Sequence, residues 1–433
     1  MTDAASSPIP SPFAYPAYRA FFVAKLGSTL AQMLMVVVIG WQVYDLARAT
    51  MPMREAAFLL GLIGLAQFLP VFALSLVVGV IADRMDRRVI ARVAVGLELL
   101  CAVVLASLAF AGSTLLWPLF AVALALGVAR AFAAPSLSAL APNLVPPAVL
   151  PTAIAWNSIG WQAGAVLGPV IGGLAYDLAH PAPYSLAAVL LLASLVALFL
   201  IPKVPQRASS SGSGVESVKE GLRYVRGNPI VFGAISLDMF AVILGGATAM
   251  LPIFARDILM VGPDGLGLLR AAPAAGAALV ALWLTRWPLK NNVGVKMFFN
   301  VGLFAVATVV FGLSSMLWLS IASLVVLGGA DMVSVYVRSS LIQLHTPDDM
   351  RGRVSSVSLL FISASNELGE FRAGMMAGAL GAVEATVLGG LLALGVTVLW
   401  ARLFPELRDA DRLDLPEEML ARDRKTEALT PPN

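Results

Sequence analysis

The chain has 433 residues, of which 59% are hydrophobic and only 13% are charged, and its mean hydropathy is +0.86. Soluble proteins average about 25% charged residues, so this composition excludes an ordinary soluble protein and predicts an integral membrane protein. The formal net charge is +3, but the basic residues are scattered between apolar segments, so we expect no nucleic-acid partner.

Cysteine and histidine are too rare to build a disulfide framework or a His-rich metal site. The single cysteine, Cys101, lies in an apolar segment, and the only histidines, His180 and His345, are far apart. We therefore expect no metal and no cofactor. The N-terminal stretch "MTDAASSPIPSPFAYP" lacks the features of a secretory signal and is expected to remain as a flexible tail.

Apolar segments recur along the whole chain. A transmembrane helix needs about 20 mostly apolar residues. We expect twelve such spans, at 19–44, 56–81, 90–111, 115–140, 150–176, 183–202, 229–254, 265–286, 293–313, 317–342, 354–379 and 382–403. The predicted fold class is an all-α membrane protein of twelve transmembrane helices.

Lysine and arginine indicate which side of the membrane faces the cytoplasm. With an even number of spans, both termini lie on the same side. The segments between helices on that side hold fourteen Lys and Arg residues, whereas those on the other side hold four, namely Arg48, Arg54, Arg256 and Arg270. The positive-inside rule then places both termini in the cytoplasm.

The two halves of the chain look related to each other. A Ser/Gly-rich stretch, "RASSSGSG", precedes a short charged segment before span seven and is typical of a linker. A shift of 213 residues sets Pro16 over Pro229, and a shift of 201 sets span four over span ten. Parallel six-span repeats are typical of two-bundle transporters. We predict a cytoplasmic tail at 1–18, six-helix bundles at 19–202 and 229–403, a cytoplasmic linker at 203–228, and a second cytoplasmic tail at 404–433.

Two motifs carry a resemblance to a known family. The stretch "GVIADRMDRR" after span two is similar to G-x-L-A-D-R-x-G-R-R, with Ile81 in place of Leu and Asp86 in place of Gly. The stretch "GAVLGPVIGG" in span five is similar to the exporter pattern G-x-x-x-G-P-x-x-G-G. Together they resemble the major facilitator superfamily, and neighbouring stretches resemble its bacterial enterobactin-exporter and macrolide-efflux branch.

The resemblance implies two pseudo-symmetric six-helix bundles, with spans one, four, seven and ten around a central cavity and spans two, five, eight and eleven between the bundles. It implies that the Gly/Pro motif of span five packs against the opposite half. It also implies that the loop after span two controls cytoplasmic gating, with Asp83 as a latch. The motif residues are Gly79, Asp83, Arg84, Asp86, Arg87 and Arg88 in the gating loop, and Gly164, Gly168, Pro169, Gly172 and Gly173 in span five.

Charges inside a span cost about 2.5 to 3.5 kcal/mol each, so they point to function. Glu98 lies on span three, outside the spans that the resemblance assigns to the cavity or the interface. The repeat shifts set Lys25 over Asp238 and Arg130 over Asp331, pairing basic with acidic positions. The candidate cavity charges are Lys25, Arg130, Asp238, Asp331, Arg338, Glu367, Glu370 and Arg372.

Two interpretations of these charges stay open. Asp238, Asp331, Glu367 and Glu370 contain a proton-coupling carboxylate, or the charges are fixed structural ion pairs and snorkelling side chains. Asp331 and Arg338 lie two turns apart on one helix face, which makes them candidate neighbours. Glu367 and Glu370 share a face, which favours one proton held between them; the alternative is that Arg372 or another span neutralises one of them.

We predict a secondary active transporter that acts as a monomer in the lipid bilayer of the cytoplasmic (inner) membrane and couples protons to efflux of a siderophore, drug or other amphipathic small molecule. Uptake of a small metabolite, or lipid handling, is the alternative within this fold. A membrane-embedded enzyme or receptor is the rival class, but the sequence has no H-E-x-x-H motif, no phosphate loop ending in G-K-[ST] and no His/Cys cluster.

Overall fold

The computed structural model describes residues 11–203, 214–289, 291–347 and 350–411, and the side chains of these residues apart from 75–84, 139 and 214–217. The first six long helices are α1 (Pro16–Arg48), α2 (Met53–Arg84), α3 (Arg87–Phe110), α4 (Trp117–Leu140), α5 (Leu150–Leu178) and α6 (Ala182–Phe199). The later helices are α7 (Gly214–Gly227), α8 (Pro229–Gly245), α9 (Leu251–Ile253), α10 (Pro263–Arg286), α11 (Val293–Leu313), α12 (Leu317–Leu344), α13 (Arg351–Leu380), α14 (Ala382–Leu403) and α15 (Pro405–Arg408).

The helices begin where local chemistry supplies a start. A proline opens α1 and α8, where its missing N–H would have no intrahelical partner in any case. Asn228 caps α8, since its side-chain oxygen accepts hydrogen bonds from the backbone N–H groups of Ile230 and Val231 at 3.1 and 3.2 Å.

The twelve-helix membrane fold predicted from the sequence is confirmed. Eleven segments of the described chain are long and apolar enough to cross a membrane. The remaining predicted span, the eleventh at 354–379, corresponds to α13, which has 30 residues and carries Glu367, Glu370 and Arg372. These charges explain why its mean hydropathy is lower than that of the other spans.

Span seven differs from the uninterrupted helix that its apolar sequence predicts. The helix α8 ends at Gly245, and a 3-10 turn (Thr248–Met250), the short α9 and a π-helix (Phe254–Ile258) complete the span. π-helical turns are rare and often occur at functional sites. This irregular end places Arg256 and Asp257 beside α1, as described below.

The chain divides into two compact units. The first unit contains Met1–Ser211, Thr248–Ala274 and Gly374–Ala382, and the second contains Gly212–Ala247, Ala275–Ala373 and Val383–Asn433. Two segments that we expected in the second bundle thus group with the first unit. The bundle limits at 19–202 and 229–403 stay a prediction.

In the first unit, α1 is the central packing element. It runs along α5 and α6 and also touches α2. Its Tyr18 and Tyr44 are fully buried. The Tyr18 hydroxyl donates to the carbonyl oxygen of Ala153 at 2.9 Å, and the Tyr184 hydroxyl of α6 donates to Gln42 of α1 at 2.5 Å. These bonds tie α1 to α5 and α6 inside the unit.

In the second unit, the linker segment ends in a docked helix rather than continuing as a plain connection. Val225 of α7 packs against Val231 of α8, Ile342 of α12 and Val354 of α13. Glu220 forms a salt bridge with Arg353 at 2.8 Å, and the Tyr224 hydroxyl donates to the carbonyl oxygen of His345. Burial of the imidazole lowers the pKa of His345. The helix α7 is therefore an integral part of the second unit.

Candidate functional site

A buried ion pair inside the spans joins Asp238 of α8 to Arg338 of α12. The two side chains form a salt bridge, with only 8% of the Asp238 side chain and 5% of the Arg338 side chain exposed. A lone charge in this apolar environment would be costly, and pairing offsets that cost. The sequence identified both residues as candidates but suggested Asp331 as the neighbour of Arg338; the ion pair reaches across to α8 instead.

A small cavity lies beside this ion pair. Asp238 of α8 and Asp331 and Ser334 of α12 line it, together with apolar side chains of α8 and α11. Asp331 is partly buried, and the buried Ser334 hydroxyl has no hydrogen-bond partner among the described residues. Two carboxyl groups and an unsatisfied hydroxyl thus line one apolar pocket of the second unit, and the Arg338 guanidinium binds one of these carboxyl groups.

The three candidates on α13, Glu367, Glu370 and Arg372, differ in their contacts. Arg372 donates a hydrogen bond to the carbonyl oxygen of Leu244 at 2.5 Å. Leu244 belongs to the last turn of α8, where carbonyl groups lack intrahelical donors, so Arg372 caps that helix. Glu367 and Glu370 are both partly buried. A proton shared between these two acids stays a prediction.

In the first unit, the candidates Lys25 and Arg130 contact neutral side chains. The Lys25 ammonium lies 5.9 Å from the centre of the Phe21 ring, within the range of a cation–π contact. Arg130 of α4 donates to the side-chain oxygen of Gln67 of α2 at 3.3 Å. The pairing of these two positions with acids in the other half stays a prediction.

One buried acid lies outside the candidate set. Glu98 of α3 is fully buried, and its two carboxylate oxygens accept hydrogen bonds from Ser28 and Gln32 of α1 at 3.1 and 2.6 Å. The resemblance assigns span three to the lipid-facing set, and this led the sequence interpretation away from Glu98. The signal that could have found it was the charge itself, in the middle of an apolar run.

The gating loop after α2 makes contacts within its own unit. Asp86 caps α3, accepting a hydrogen bond from the Arg88 backbone N–H at 3.0 Å, and it pairs with the Arg88 side chain at 2.6 Å. This guanidinium lowers the pKa of the Asp86 carboxyl group. Arg87 is partly buried. The side chains of Gly79, Asp83 and Arg84 lie outside those that the structure describes, and the latch role of Asp83 stays a prediction.

The arginines of this loop and of the first turns of α3 reach the end of α6. Arg88 donates to the carbonyl oxygen of Ile201 at 3.1 Å, and Arg92 donates twice to that of Leu198, at 3.0 and 3.2 Å. Carbonyl groups at a helix C-terminus lack intrahelical donors, and cations are favoured there. These arginines therefore join α3 to α6, and their placement on the cytoplasmic side stays a prediction.

The glycine stripe of α5 packs differently from the arrangement that the resemblance implies. A Cβ atom on Gly164 would lie 2.6 Å from Thr29, and one on Gly168 would lie 2.6 Å from the Cβ of Met33. Gly172 likewise faces Leu34. The three-glycine stripe thus faces α1 of the same bundle. The absence of side chains on these glycines allows the two helices to approach closely. For the stripe, the expected position against the opposite half is wrong.

The remaining two residues of the motif face α10, which is the predicted span eight. A Cβ atom on Gly173 would collide with the carbonyl oxygen of Pro263. A Cβ atom on Gly267 would lie 2.6 Å from the carbonyl oxygen of Pro169. This part of the motif therefore meets a span from the second half of the sequence, although that segment groups with the first unit. The motif consequently contacts two helices, α1 through the glycine stripe and α10 through Pro169 and Gly173.

A polar cluster at the C-terminal end of α1 was not among the sequence candidates. The Tyr44 hydroxyl donates to Asp257, and Arg48 contacts the same carboxylate through Nε at 3.2 Å and Nη2 at 3.2 Å. Arg256 pairs with Asp45 at 3.1 Å. A usable signal existed, because the 213-residue shift that sets Pro16 over Pro229 also sets Tyr44 over Asp257. The two arginines were instead counted only as topology charges.

The chain is similar to known transporters along nearly its whole length. Residues 6–428 match a family described as a transmembrane secretion effector. The chain is 26% identical over 392 residues to the enterobactin exporter EntS of Shigella boydii serotype 18 (strain CDC 3083-94 / BS512), covering 89% of this chain and 91% of the exporter. It is 27% identical over 393 residues to the EntS of Escherichia coli O1:K1 / APEC, with the same coverage of 89% and 91%.

Solved structures similar to this chain are transporters of the same fold. A D-xylose–proton symporter superposes with a TM-score of 0.69 at 15% identity, covering 90% of this chain and 98% of the symporter. A bacterial homologue of the human lysosomal transporter Spinster superposes with a TM-score of 0.69 at 17% identity, covering 92% and 99%. At these identities the likeness shows the fold alone. The family match over nearly the whole length shows more: the chain belongs to the transmembrane secretion effector family of major facilitator transporters and is a multi-pass membrane protein.

Proposed function

We propose that this transporter exports a siderophore, drug or other amphipathic small molecule across the cytoplasmic membrane in exchange for protons, by alternating access. The similarity to enterobactin exporters over 89% of the chain supports the direction and the substrate class. Both termini lie in the cytoplasm and the monomer is the working unit. In this proposal Asp83 latches the cytoplasmic side.

The observation that carries proton coupling is the charge balance around the small cavity of the second unit. Asp238 and Asp331 bring two negative charges and Arg338 brings one positive charge, so the group has one negative charge too many when both acids are ionised. A proton on one carboxyl group neutralises the set. Since an uncompensated charge is costly in an apolar span, binding of a single proton is favoured.

The arrangement also suggests how a proton acts on the helices. Arg338 pairs with Asp238 of α8, and this contact joins α8 to α12. A proton on Asp238 weakens that ion pair and frees the guanidinium for Asp331 on its own helix. Proton binding thereby changes the contact between two spans that the resemblance assigns to the cavity, which is the coupling that alternating access requires.

Transport in everted membrane vesicles tests the proposal. Vesicles from an Escherichia coli strain that lacks its own enterobactin exporter and produces this protein are energised, and uptake of iron-free enterobactin and of ethidium is measured with and without a protonophore. We expect uptake of at least one of the two probes, abolished by the protonophore. Vesicles with an Asp331→Asn variant should retain the protein in the membrane and lose the protonophore-sensitive part.

The possible results separate the parts of the proposal. Uptake that the protonophore leaves unchanged contradicts proton coupling. No uptake of either probe by membranes that contain normal amounts of the protein contradicts the assigned substrate class. Uptake into right-side-out vesicles instead would favour import, the alternative within this fold.

A further inference from the structure

Glu98 of α3 is a buried acid that the proposed mechanism does not use. It is fully buried inside the first unit. Its Oε2 atom accepts a hydrogen bond from the Ser28 hydroxyl at 3.1 Å, and its Oε1 atom accepts one from the Gln32 amide at 2.6 Å. Both donors belong to α1 and lie one turn apart. The carboxyl group of α3 is thus held by α1 through both of its oxygen atoms.

The three side chains form a closed set that satisfies either protonation state. The Gln32 amide also donates to Ser28 Oγ at 3.2 Å. An ionised carboxylate only accepts hydrogen bonds, as in the structure, whereas a neutral carboxylic acid carries one O–H donor. The Ser28 oxygen can accept that bond, and the serine proton can then turn to the carbonyl oxygen four residues earlier, as Ser194 and Ser236 do.

The surroundings of Glu98 place a cation near it, on a neighbouring helix. The positive charge of Arg130 of α4 attracts the ionised Glu98 carboxylate. The Arg130 side chain donates its hydrogen bond to Gln67 of α2. On α3 itself, the nearby Cys101 is buried, and Arg92 is bonded to the end of α6. The helix α6 brings no charged side chain, and its Tyr184 is bonded to Gln42.

We propose that Glu98 is a proton-binding group of the first bundle that sets the contact between α3 and α1. The proton comes from water, forms the O–H bond of the carboxylic acid and returns to water on release. Uptake reverses the hydrogen bond with Ser28 and replaces hydrogen bonds to a charged carboxylate by hydrogen bonds of a neutral acid. The inference rests on the proposed proton-coupled function and assigns it a second titrating group, in the other half of the chain.

The position of Glu98 gives this contact a wider reach. The helix that holds it, α1, also carries the glycine-stripe contact with α5 and, at its other end, Tyr44 and Arg48 of the polar cluster with Asp257. A change of protonation at Glu98 therefore acts on the one helix that reaches both features. It gives the first bundle its own proton-dependent element.

Infrared spectroscopy of the purified full-length protein tests proton binding without any substrate. The carboxylic-acid C=O band is recorded between about pH 5 and about pH 9, because buried carboxyl groups titrate far above the usual range. We expect a titrating band in the wild type that is weaker in Glu98→Gln by the contribution of one carboxyl group, since Asp238 and Asp331 keep theirs. The matched control is Glu384→Gln, which removes an exposed acid at the start of α14 and should leave the band unchanged. A band of wild-type intensity in Glu98→Gln overturns the proposal.

A second variant keeps the test decisive if Glu98→Gln fails to fold. Ser28→Ala leaves the carboxyl group in place but removes the oxygen that accepts the hydrogen bond from the protonated Glu98. The band should persist and shift in frequency, since a hydrogen bond to the acid is lost. An unshifted band in a folded Ser28→Ala protein also overturns the proposal.

Transport then separates a coupling role from a merely structural one. In proteoliposomes with enterobactin, Glu98→Gln should lower flux driven by a pH gradient on the order of tenfold, in the range of typical coupling free energies, and leave exchange at equal pH on both sides within about twofold. Equal loss of both fluxes overturns the coupling role. If the wild type shows no gradient-driven flux, the proposed function fails, whereas the infrared result still decides whether Glu98 binds a proton.

Discussion

Asp86 stands where the motif that this loop resembles has glycine, and its backbone conformation explains why an acid is accepted. Its φ of −62° and ψ of 115° belong to the extended region, which any residue adopts, so no glycine is required. The side chain then caps α3 and pairs with Arg88. Both contacts depend on the carboxylate and are lost in glycine.

The cap predicts a graded effect on stability. Asp86→Ala should destabilise the protein by about 0.5 to 2 kcal/mol, whereas Asp86→Asn, which can still cap the helix, should lose less. Because Arg88 lowers the pKa of this carboxyl group, its contribution is present at neutral pH and is lost as the pH falls through the lowered value. Thermal unfolding of the purified protein checks this. Equal melting temperatures for Asp86→Ala and the wild type at neutral pH would contradict it.

The buried ion pair of Asp238 and Arg338 predicts a strong dependence of each residue on the other. Arg338→Gln leaves an uncompensated carboxylate and should cost about 3 to 5 kcal/mol, whereas the double variant with Asp238→Asn should recover most of that loss. Thermal unfolding of the single and double variants measures the coupling. Arg402→Gln, which removes an exposed arginine of α14, is the control and should change stability by less than about 0.5 kcal/mol. Simple additivity of the two single changes would show that the pair is not coupled.

The sequence was informative about charged residues and less so about their partners. Asp238 and Arg338 stand out because a charge in an apolar run is rare and costly. The partner of Arg338 depends on how α12 is rotated toward α8, and spacing within one helix carries no information on that rotation. Glu98 was equally visible in the sequence, but its helix was assigned to lipid by resemblance.

At the scale of helices, the glycine stripe of α5 determines how closely α1 approaches. Gly168→Ala puts a methyl group 2.6 Å from the Cβ of Met33, so α1 and α5 must move apart. We expect this variant to lower the stability of the first bundle by about 1 to 3 kcal/mol, the usual cost of overpacking. Thermal unfolding and the amount of protein in the membrane report the loss.

A glycine elsewhere in the same bundle provides the control for this prediction. A Cβ atom on Gly96 of α3 would meet no atom within 4 Å. Gly96→Ala should be neutral or slightly stabilising, because alanine favours the helix and nothing must shift. If Gly168→Ala is as well tolerated as Gly96→Ala, the close contact of α1 and α5 is not required.

Helix positions were largely predictable, and helix irregularities were not. Length and hydropathy predict spans such as 293–313, which is the range of α11, because a bilayer demands long apolar helices. The break after Gly245 and the π-helix at Phe254–Ile258 leave no mark in hydropathy, because that scale does not register that Gly246 and Pro252 disfavour a regular helix. The direction of the glycine stripe was also out of reach, because a smooth face fits any neighbouring helix.

At the scale of the molecule, the polar cluster at the C-terminal end of α1 holds this helix to the end of span seven. Asp257→Asn removes the charge that Arg48 contacts and leaves the Tyr44 hydroxyl a weaker acceptor. We expect amide hydrogen exchange at 44–48 and 254–258 to become about tenfold faster, corresponding to about 1.4 kcal/mol, in the range for a hydrogen bond to a charged group.

The control for this exchange experiment is Arg54→Gln. Arg54 is exposed at the start of α2, and its loss should leave the exchange rates at 44–48 and 254–258 unchanged. Faster exchange in both variants would mean that the overall charge at this end, rather than the cluster, controls opening. Unchanged exchange in Asp257→Asn would mean that the cluster does not hold the two segments together.

The arginines at the beginning of α3 have a consequence for how the family motif is interpreted. The guanidinium of Arg88 binds the Asp86 carboxylate through Nε and Nη2. The same group binds the carbonyl oxygen of Ile201 through Nη1. A lysine ammonium has the same charge but no planar set of donors that point in two directions at once. The arginine at position 88 of the motif thus supplies a planar set of donors as well as a positive charge. A lysine there would satisfy the positive-inside rule but would leave one of the two acceptors without its donor.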